Sequence, residues 1–432
     1  MKRKNWLYLV LVILLVTVTT MFLVSCDGDS GGSADGDVTL TFAFWGAGEE
    51  LEAKQAIYRL YMENNPGIII EGTFTDGGEF PTRLQTWFAA GTAPDVMGIA
   101  NDIIRPFLPL GVYEDLTPYM ERDGLVPGET WLDIATDIFE FEGRIYAIPY
   151  VYKIPAIVFN KTLFDEAGVP HPTNDWTEAD LFYKAQRLTT GEGRDKIYGF
   201  YQDWWPAIIL RNLYGNPVYI AEENRMNAVG NEQFRAGVEL FDSMINIYGF
   251  STDATLAVTV EGGFETGRYA MAITAPWAMV PFDNLIGDRF DWDIVMLPIN
   301  ETHGRWRGNV FADGHTISID SEHKDEAWEF IKWMSTDIEA QRMSDFGVPM
   351  LRAYAASQDY LDNHNTTTRY DRSVFVNMLE YATAWETRGV WGRVNDEMNA
   401  LYEQFIRGEI DIDTLISEIQ TRGQAIFDAG GD

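Results

Sequence analysis

Apolar and polar residues begin to alternate regularly at residue 38. The stretch "VTLTFAFW", residues 38–45, alternates and is rich in β-branched and aromatic residues, so it predicts a strand. The next stretch, "GAGEELEAKQAIYRLYMENNPG", places Leu51, Ile57, Leu60 and Tyr61 on one side and ends at Asn-Pro-Gly, which predicts a helix. The stretch "IIIEGTF" predicts a second strand. A strand, a helix and a strand in this order indicate a parallel βαβ unit and therefore an α/β fold.

Strands and helices continue to alternate along the rest of the chain. "FPTRLQTWFAAG" predicts a helix, "PDVMGIA" a short buried strand, and "RIYAIPYVYKIPAIVFN" an extended segment. "WTEADLFYKAQRLT" predicts a helix that Thr177 caps, with Asp180 completing a capping box. "DEAWEFIKWMS" and "DIDTLISEIQTRGQAIF" predict two further amphipathic helices. Because 432 residues suffice for two domains of ordinary size, we predict an α/β protein with two lobes.

The first 37 residues predict export and attachment to a membrane. Three basic residues precede an almost wholly apolar run, residues 6–24, and this order is typical of a signal peptide, here residues 1–25. Cys26, the only cysteine, ends the sequence "LVSC", which resembles the lipobox of bacterial lipoproteins, so we expect it to be lipidated. An uncleaved anchor helix is the alternative, because the apolar run is long enough to span a bilayer. The Gly-, Ser- and Asp-rich residues 26–37 predict a flexible tether.

Charge and composition argue against several classes of protein. The chain has 32 basic and 66 acidic residues and a net charge of −34, which repels phosphate backbones, so we expect no nucleic-acid partner. One cysteine permits neither an intramolecular disulfide nor a cysteine-based zinc site. The five histidines are scattered, and the chain has no His-Glu-x-x-His motif and no phosphate-binding loop. We therefore expect no metal site and no cofactor.

Five segments follow one another in the order of a known family. They are "FAFWGAGEE", "WFAAGTAPDVMGIAND", "IYAIPYVYKIPAIVFNKTLFDEAGVPHPTNDWTEADL", "FETGRYAMAITAPWAM" and "DGHTISIDSEHKDEAWEFIKWM". Together they resemble the extracellular solute-binding proteins of ABC transporters, specifically the maltose-binding-protein-like sugar-binding family, through most of residues 38–427. The chain departs from the family pattern at Ala275, where a glycine usually precedes Pro-Trp. It departs again at Asp313-Gly314, where the family usually has two glycines.

The resemblance implies a two-lobe periplasmic-binding-protein fold of type II, in which each lobe is a mixed sheet flanked by helices. It places the hinge strands near residues 150–154 and 307–310 and the ligand in a cleft between the lobes. We expect residues 38–150 and 308–345 to form the N-terminal lobe. Residues 151–307 and 346–432 are expected to form the C-terminal lobe.

The function that the resemblance implies is that of a substrate-binding lipoprotein of an ABC importer. Such a protein captures a sugar or an oligosaccharide and delivers it to the permease subunits in the membrane, without making or breaking a bond. We therefore expect a monomer and not an enzyme. We expect it outside the cytoplasm, in the periplasm or at the cell surface, with a lipid anchor at Cys26.

Aromatic and polar side chains are the candidates for the ligand site. A sugar packs its C–H face on an aromatic plane, while its hydroxyls bind polar groups around the rim. The resemblance makes Trp277, which follows Pro276, the expected stacking platform, and Trp45 ends the first predicted strand beside Gly46. The remaining candidates are Glu49, Asn101, Asp102, Tyr150, Trp204, Asp313, His315, Arg352 and Trp391.

Several of these residues have a second interpretation. Glu49 either accepts a ligand hydroxyl or supplies a favourable charge at a helix N-terminus. Tyr150 either contacts ligand or packs in the hinge, and His315 is either a polar contact or a buried histidine whose ring nitrogens have hydrogen-bond partners. One of Trp204 and Trp205 is expected to face the cleft.

Two other functions are open from the sequence. One is an extracytoplasmic glycoside hydrolase, which would need two carboxylates about 5–10 Å apart. The other is a binding protein for a non-sugar polar solute such as a phosphorylated polyol. Trp306, which lies between two arginines, is expected on an exposed turn.

Overall fold

The computed structural model of the chain describes residues 37–46, 48–132, 138–202, 210, 213–220, 223–252, 263–344, 346–362, 370–384 and 390–430. The predicted signal peptide, residues 1–25, and almost all of the predicted tether, residues 26–37, lie outside these ranges. Among the described residues, no helix combines the length and the hydropathy needed to cross a membrane.

The strands of the described residues are numbered in chain order. They are β1 (Val38–Trp45), β2 (Ile68–Thr75), β3 (Val96–Ala100), β4 (Glu140–Phe141), β5 (Arg144–Ile145), β6 (Ile148–Lys153), β7 (Ala156–Asn160), β8 (Phe200–Gln202), β9 (Tyr219–Ile220), β10 (Arg225–Met226), β11 (Ser251–Thr252), β12 (Met271–Thr274), β13 (Trp292–Val295), β14 (Ile299–Asn300), β15 (Gly304–Arg305), β16 (Gly308–Ile317), β17 (Val348–Pro349) and β18 (Ala382–Ala384).

The helices flank these strands. The α-helices of the described residues are Gly48–Asn64, Phe80–Ala90, Asn101–Ile104, Thr117–Asp123, Lys161–Ala167, Glu178–Leu188, Glu232–Asp242, Met279–Ile286, Lys324–Thr336, Ile338–Arg342, Arg352–Ala355, Gln358–Leu361, Ser373–Met378, Trp391–Ile406 and Ile412–Ala429. Short 3₁₀ turns include Arg105–Leu110 and Pro276–Ala278.

The larger sheet has seven strands in the order β17-β6-β16-β3-β1-β2, with β18 paired to β16. Strand β1 runs parallel to β2, with Val38 opposite Ile68, and also parallel to β3. The helix Gly48–Asn64 connects β1 to β2. The βαβ unit predicted from the sequence is therefore confirmed.

The smaller sheet has five strands in the order β11-β8-β12-β7-β13. Strands β11, β8 and β12 run parallel, while β7 lies antiparallel to both β12 and β13. Each sheet is flanked by helices, and the predicted two-lobe α/β fold of type II is confirmed.

The chain crosses between the two sheets after β6 and before β16, and the segments at these crossings pack closely together. It leaves the larger sheet after Lys153, the last residue of β6, and enters the smaller sheet at Ala156, the first residue of β7. It returns at Gly308, the first residue of β16. A Cβ atom added at Gly308 would lie 2.6 Å from Cγ of Pro155, so only glycine fits without a shift. The exact lobe boundaries given above stay a prediction, and β17, beyond residue 345, joins the larger sheet.

A local signal in the sequence explains the start of the helix Glu178–Leu188. The capping box predicted at Thr177 is present: its backbone N–H donates to Oδ2 of Asp180 at 2.9 Å, and the Asp180 backbone N–H donates to Oγ1 of Thr177 at 3.1 Å. This exchange satisfies N–H groups that would otherwise lack partners at the start of the helix.

The prediction for Trp306 is wrong. Its side chain is fully buried and its indole N–H donates to Oε2 of Glu178 at 2.8 Å. The same oxygen accepts from the hydroxyl of Tyr214 and the amide of Asn300. The half-buried carboxylate of Glu178 accepts hydrogen bonds from three donors and so gives the indole a polar partner. The two arginines that flank Trp306 in the sequence do not predict this partner.

Candidate functional site

A cavity of about 830 Å³ is lined by residues that follow strands of both sheets. From the larger sheet come Trp45 at the end of β1, Ala100 at the end of β3, and Asp313 on β16. Trp277 and Leu285 follow β12 of the smaller sheet. The size suits a small organic ligand, and the carboxyl ends of strands in open α/β sheets are the usual place for such a site.

Trp45 is held in place by its neighbours. Its ring centroid lies 5.2 Å from that of Phe80, at an interplanar angle of 56°. Nζ of Lys54 lies 4.9 Å from the centre of the indole and also donates to the Trp45 carbonyl at 2.9 Å. The indole is only partly buried, so one part of it faces the cavity.

Trp277 stands in the 3₁₀ turn Pro276–Ala278, directly after β12. Pro276 begins that turn, and its fixed φ suits the first position of a helix. The indole lies almost perpendicular to the ring of Phe311, with centroids 6.3 Å apart. Nζ of Lys153 is 5.6 Å from its centre. Trp45 and Trp277, the two predicted stacking residues, therefore line one cavity.

Lys153 and Asp313 form an ion pair at the cavity wall, with 2.5 Å between Nζ and Oδ2. Lys153 ends β6 and Asp313 lies on the neighbouring strand β16. The register of the two strands shifts between Asp313 and Gly314, and such an irregularity re-aims the side chains beside it. Both side chains are about nine-tenths buried, so water screens the pair weakly.

Glu50 and Lys54 form a second pair, with 3.0 Å between Oε1 and Nζ. They are one helical turn apart on the helix Gly48–Asn64. Burial alone would raise the pKa of Glu50, but Lys54 and Lys153 hold that pKa below its ordinary value. Glu50 is therefore an ionised hydrogen-bond acceptor at neutral pH.

Two other predicted residues, His315 and Tyr150, lie behind the cavity wall. Their rings are 4.9 Å apart. Burial lowers the pKa of His315 to about 3, so its imidazole is neutral at physiological pH. Burial raises the pKa of Tyr150. Neither residue lines the main cavity, and both pack where β6 and β16 meet, which fits hinge packing for Tyr150 and burial for His315. Nδ1 of His315 has no hydrogen-bond partner among the described residues.

Asn101 is also buried, and its Oδ1 accepts from the backbone N–H of Ala312 at 3.2 Å. It supports the wall next to Ala100, which lines the cavity. The side chains of Glu49 and Asp102 and the whole of Trp204 lie outside the described residues, so their roles stay predictions.

The structure does not bring Arg352 or Trp391 to the described lining of this cavity. The backbone N–H of Arg352 donates to the carbonyl of Thr130. Trp391 is almost fully buried and stacks on Tyr219 and Phe427, with centroids 5.2 and 5.9 Å away. Because its indole is sealed against the C-terminal helix, Trp391 is a core residue in this structure.

Sequence reasoning missed most of the described lining residues, among them Glu50, Lys153 and Leu285. Lys153 had a signal, because a lysine that ends a buried strand at the predicted hinge is unusual. Leu285 is 60% exposed although it is a large apolar residue, and only the structure shows that it borders the cavity. Among the described residues, no cluster of His, Cys, Asp or Glu is arranged to hold a metal ion.

Two sheet-and-helix lobes with a cavity between them define a solute-binding protein fold of type II. Residues 46–341 match the family of bacterial extracellular solute-binding proteins, and the chain belongs to that family. The resemblance drawn from the five segments is thereby confirmed.

Several relatives show how far the likeness extends. A protein of Brucella abortus (strain 2308) named only as a binding protein is 23% identical over 421 residues, covering 91% of this chain and 94% of the relative. The maltotriose-binding protein of Pyrococcus abyssi is 23% identical over 320 residues, covering 70% of this chain and 64% of the relative. An ABC substrate-binding protein from Listeria monocytogenes, solved in complex with cycloalternan, superposes with a TM-score of 0.79 at 22% identity. That superposition covers 90% of this chain and 99% of the other.

Proposed function

We propose that this protein is the substrate-binding lipoprotein of an ABC importer. In this proposal it captures a sugar or an oligosaccharide in the cavity and delivers it to the membrane permease. The observation that carries the proposal is the pair of indoles, Trp45 and Trp277, at one cavity that also holds ionised acceptors and donors. Indole faces suit the C–H surface of a sugar ring, and the ion pairs suit its hydroxyls.

The relatives support the class of ligand. One of them is named for binding maltotriose and another was solved with cycloalternan, and both of these ligands are oligosaccharides. Their identity to this chain is low, so the residues that select a particular sugar are expected to differ between them.

The state of the cavity carboxylates favours binding over hydrolysis. A glycoside hydrolase needs one carboxylic acid whose pKa is raised so that it can protonate the leaving group. Glu50 has a lowered pKa, and Asp313 is paired with Lys153. Among the described residues that line the cavity, neither carboxylate suits the role of the acid.

A lipid anchor at Cys26 is part of the proposal. The sequence supports it through the apolar run, the small residue and the cysteine that follow one another before the tether. The extracellular character of the family agrees with a protein that works outside the cytoplasm. The lipid would hold the protein near the permease, while the tether leaves it free to turn.

A thermal-shift screen against a carbohydrate panel tests the function. A ligand that binds only the folded state adds about 2.7 kcal/mol to the free energy of unfolding when its concentration is one hundred times its Kd. This added stability raises the melting temperature. We expect at least one sugar or oligosaccharide to raise the melting temperature and to bind with 1:1 stoichiometry in calorimetry, without being consumed. Release of products would favour the hydrolase, and a panel with no response among sugars would contradict the proposal.

A further inference from the structure

Four charged side chains gather at the cavity, and we call them the charged floor: Glu50, Lys54, Lys153 and Asp313. We propose that the charged floor makes the protein select uncharged carbohydrates over uronates and sugar phosphates, and that Asp313 sets this selectivity. The inference rests on the proposed function, which it narrows to a chemical class of ligand.

The four side chains converge at one place although they come from three elements. Glu50 and Lys54 come from the helix Gly48–Asn64, Lys153 from β6 and Asp313 from β16. All four line a small void of about 10 Å³ that adjoins the main cavity, and Glu50, Lys153 and Asp313 also line the main cavity itself. Their charges therefore act on any ligand as a group.

Each ammonium of the charged floor has a carboxylate against it. Lys54 lies 3.0 Å from Glu50, and Lys153 lies 2.5 Å from Asp313. Lys153 also lowers the pKa of Glu50 through its charge, so the two pairs are electrically linked. An anionic ligand could attract either lysine only at the expense of an existing pair. The described part of the cavity thus has no cation in excess.

The apolar walls of the cavity make the balance between lysines and carboxylates important for which ligands can bind. Trp45, Trp277, Phe311, Ile103 and Leu285 give the cavity largely apolar walls. A carboxylate or phosphate that enters such a place loses hydration, and it needs a matching cation to recover that cost. The net charge of −34 opposes an anion further. A neutral hydroxyl, by contrast, can donate to a carboxylate and accept from an ammonium without upsetting either pair.

Among the four residues of the charged floor, Asp313 is the one whose neutralisation would most directly change the charge next to the ligand. The two strands of the larger sheet that meet at the hinge, β6 and β16, fix it beside Lys153, and both side chains are largely buried. Nζ of Lys153 also lies 5.6 Å from the centre of the Trp277 indole, where a stacked ring is expected. Replacing the Asp313 carboxylate by an amide of the same shape leaves Lys153 with one fewer negative partner, next to the ligand.

The first test measures affinity by calorimetry and thermal shift for two sets of compounds. The neutral set is glucose, maltotriose and mannotriose, and the anionic set is glucuronate, trigalacturonate, glucose 6-phosphate and glycerol 3-phosphate. We expect the tightest neutral compound to bind at least ~100-fold more tightly than any anionic one, which is about 2.8 kcal/mol.

The second test asks whether Asp313 sets the preference. We expect Asp313→Asn to bind the anionic sugars at least ~10-fold more tightly than the unchanged protein does. The double variant Lys153→Gln/Asp313→Asn is the matched control, because it removes both charges and should show no such gain. Glu50→Gln removes the other carboxylate near Lys153 and should give a smaller gain, which keeps the test open if Asp313→Asn does not fold.

The outcomes separate this inference from the proposed function. Equal affinity of the unchanged protein for neutral and anionic sugars would overturn the charge selectivity and leave carbohydrate binding intact. A failure of both single variants to gain affinity for anions, while they remain folded and bind the neutral sugar, would also overturn it. Binding of glycerol 3-phosphate with no response to any neutral sugar would overturn both proposals together.

Discussion

Removing the ring of Trp277 should weaken ligand binding more than any other single truncation in the cavity. The indole follows β12 of the smaller sheet and is only partly buried, so a face of it is open to the cavity. The perturbation is Trp277→Ala, which keeps the backbone turn that begins at Pro276 but takes away the whole stacking surface.

The magnitude follows from the area that a ligand would cover. A buried Trp removes roughly 150–250 Å² from water, and a sugar on one face would cover on the order of 80 Å². At about 25 cal/mol per Å² this amounts to ~2 kcal/mol. That free energy corresponds to roughly a 30-fold increase in Kd. Trp277→Phe, which keeps a smaller ring, should lose only ~5-fold.

The assay is titration calorimetry with the best ligand from the carbohydrate screen, together with a melting curve for each variant. Trp333→Ala is the matched control. Its indole is also partly buried, but it packs against Tyr61 at 5.1 Å and is not part of the described cavity lining. We expect the control to lower the melting temperature and leave Kd unchanged.

An unchanged Kd for a folded Trp277→Ala would refute the reasoning. It would show that the ligand does not stack on this indole, even though both predicted indoles line the cavity. An equal loss of affinity in Trp277→Ala and Trp333→Ala would also count against the stacking role, because it would indicate a general effect of destabilisation.

Three further predictions concern the crossover, the buried histidine and the anchor. Gly308→Ala puts a Cβ 2.6 Å from the rigid ring of Pro155 and should cost ~1–3 kcal/mol in urea unfolding, whereas Gly392→Ala, where a Cβ meets open space, should cost none; equal effects would contradict the close packing. The lowered pKa of His315, about 3, means that its contribution to stability is complete above pH ~6.5 and is lost as pH falls toward 3. That loss is about 2 kcal/mol at pH 5, and a His315→Gln protein with the same pH dependence would contradict it. Cys26→Ser should move the protein from the membrane fraction to the soluble fraction in cells, and no change would contradict lipidation.

The order of the elements could be read from the sequence because local patterns decide it. Alternation in residues 38–45 gave β1, and the capping box at Thr177 gave the start of the helix Glu178–Leu188. The pairing of β6 with β16 has no such signal, since these strands are more than 150 residues apart in the chain. The family resemblance anticipated that they come together, and local patterns alone would not.

The site was harder to predict because contacts distant in sequence decide it. Trp277 could be placed through a motif, but Lys153 joins the site only because β6 lies beside β16. Trp391 and Trp306 were wrongly expected to be accessible, because each indole has polar neighbours in the sequence and its packing partners are distant in the chain. Trp391 packs its ring against Phe427, and the indole N–H of Trp306 donates to Glu178.

A crystal structure of the protein with the sugar that stabilises it most tests the central claim most directly. We expect a sugar ring packed on the indole of Trp277, with Trp45 in the same closed cleft and hydroxyls bonded to Asp313 and Lys153. A sugar bound away from this cavity, or an indole of Trp277 that makes no contact with it, would contradict the account.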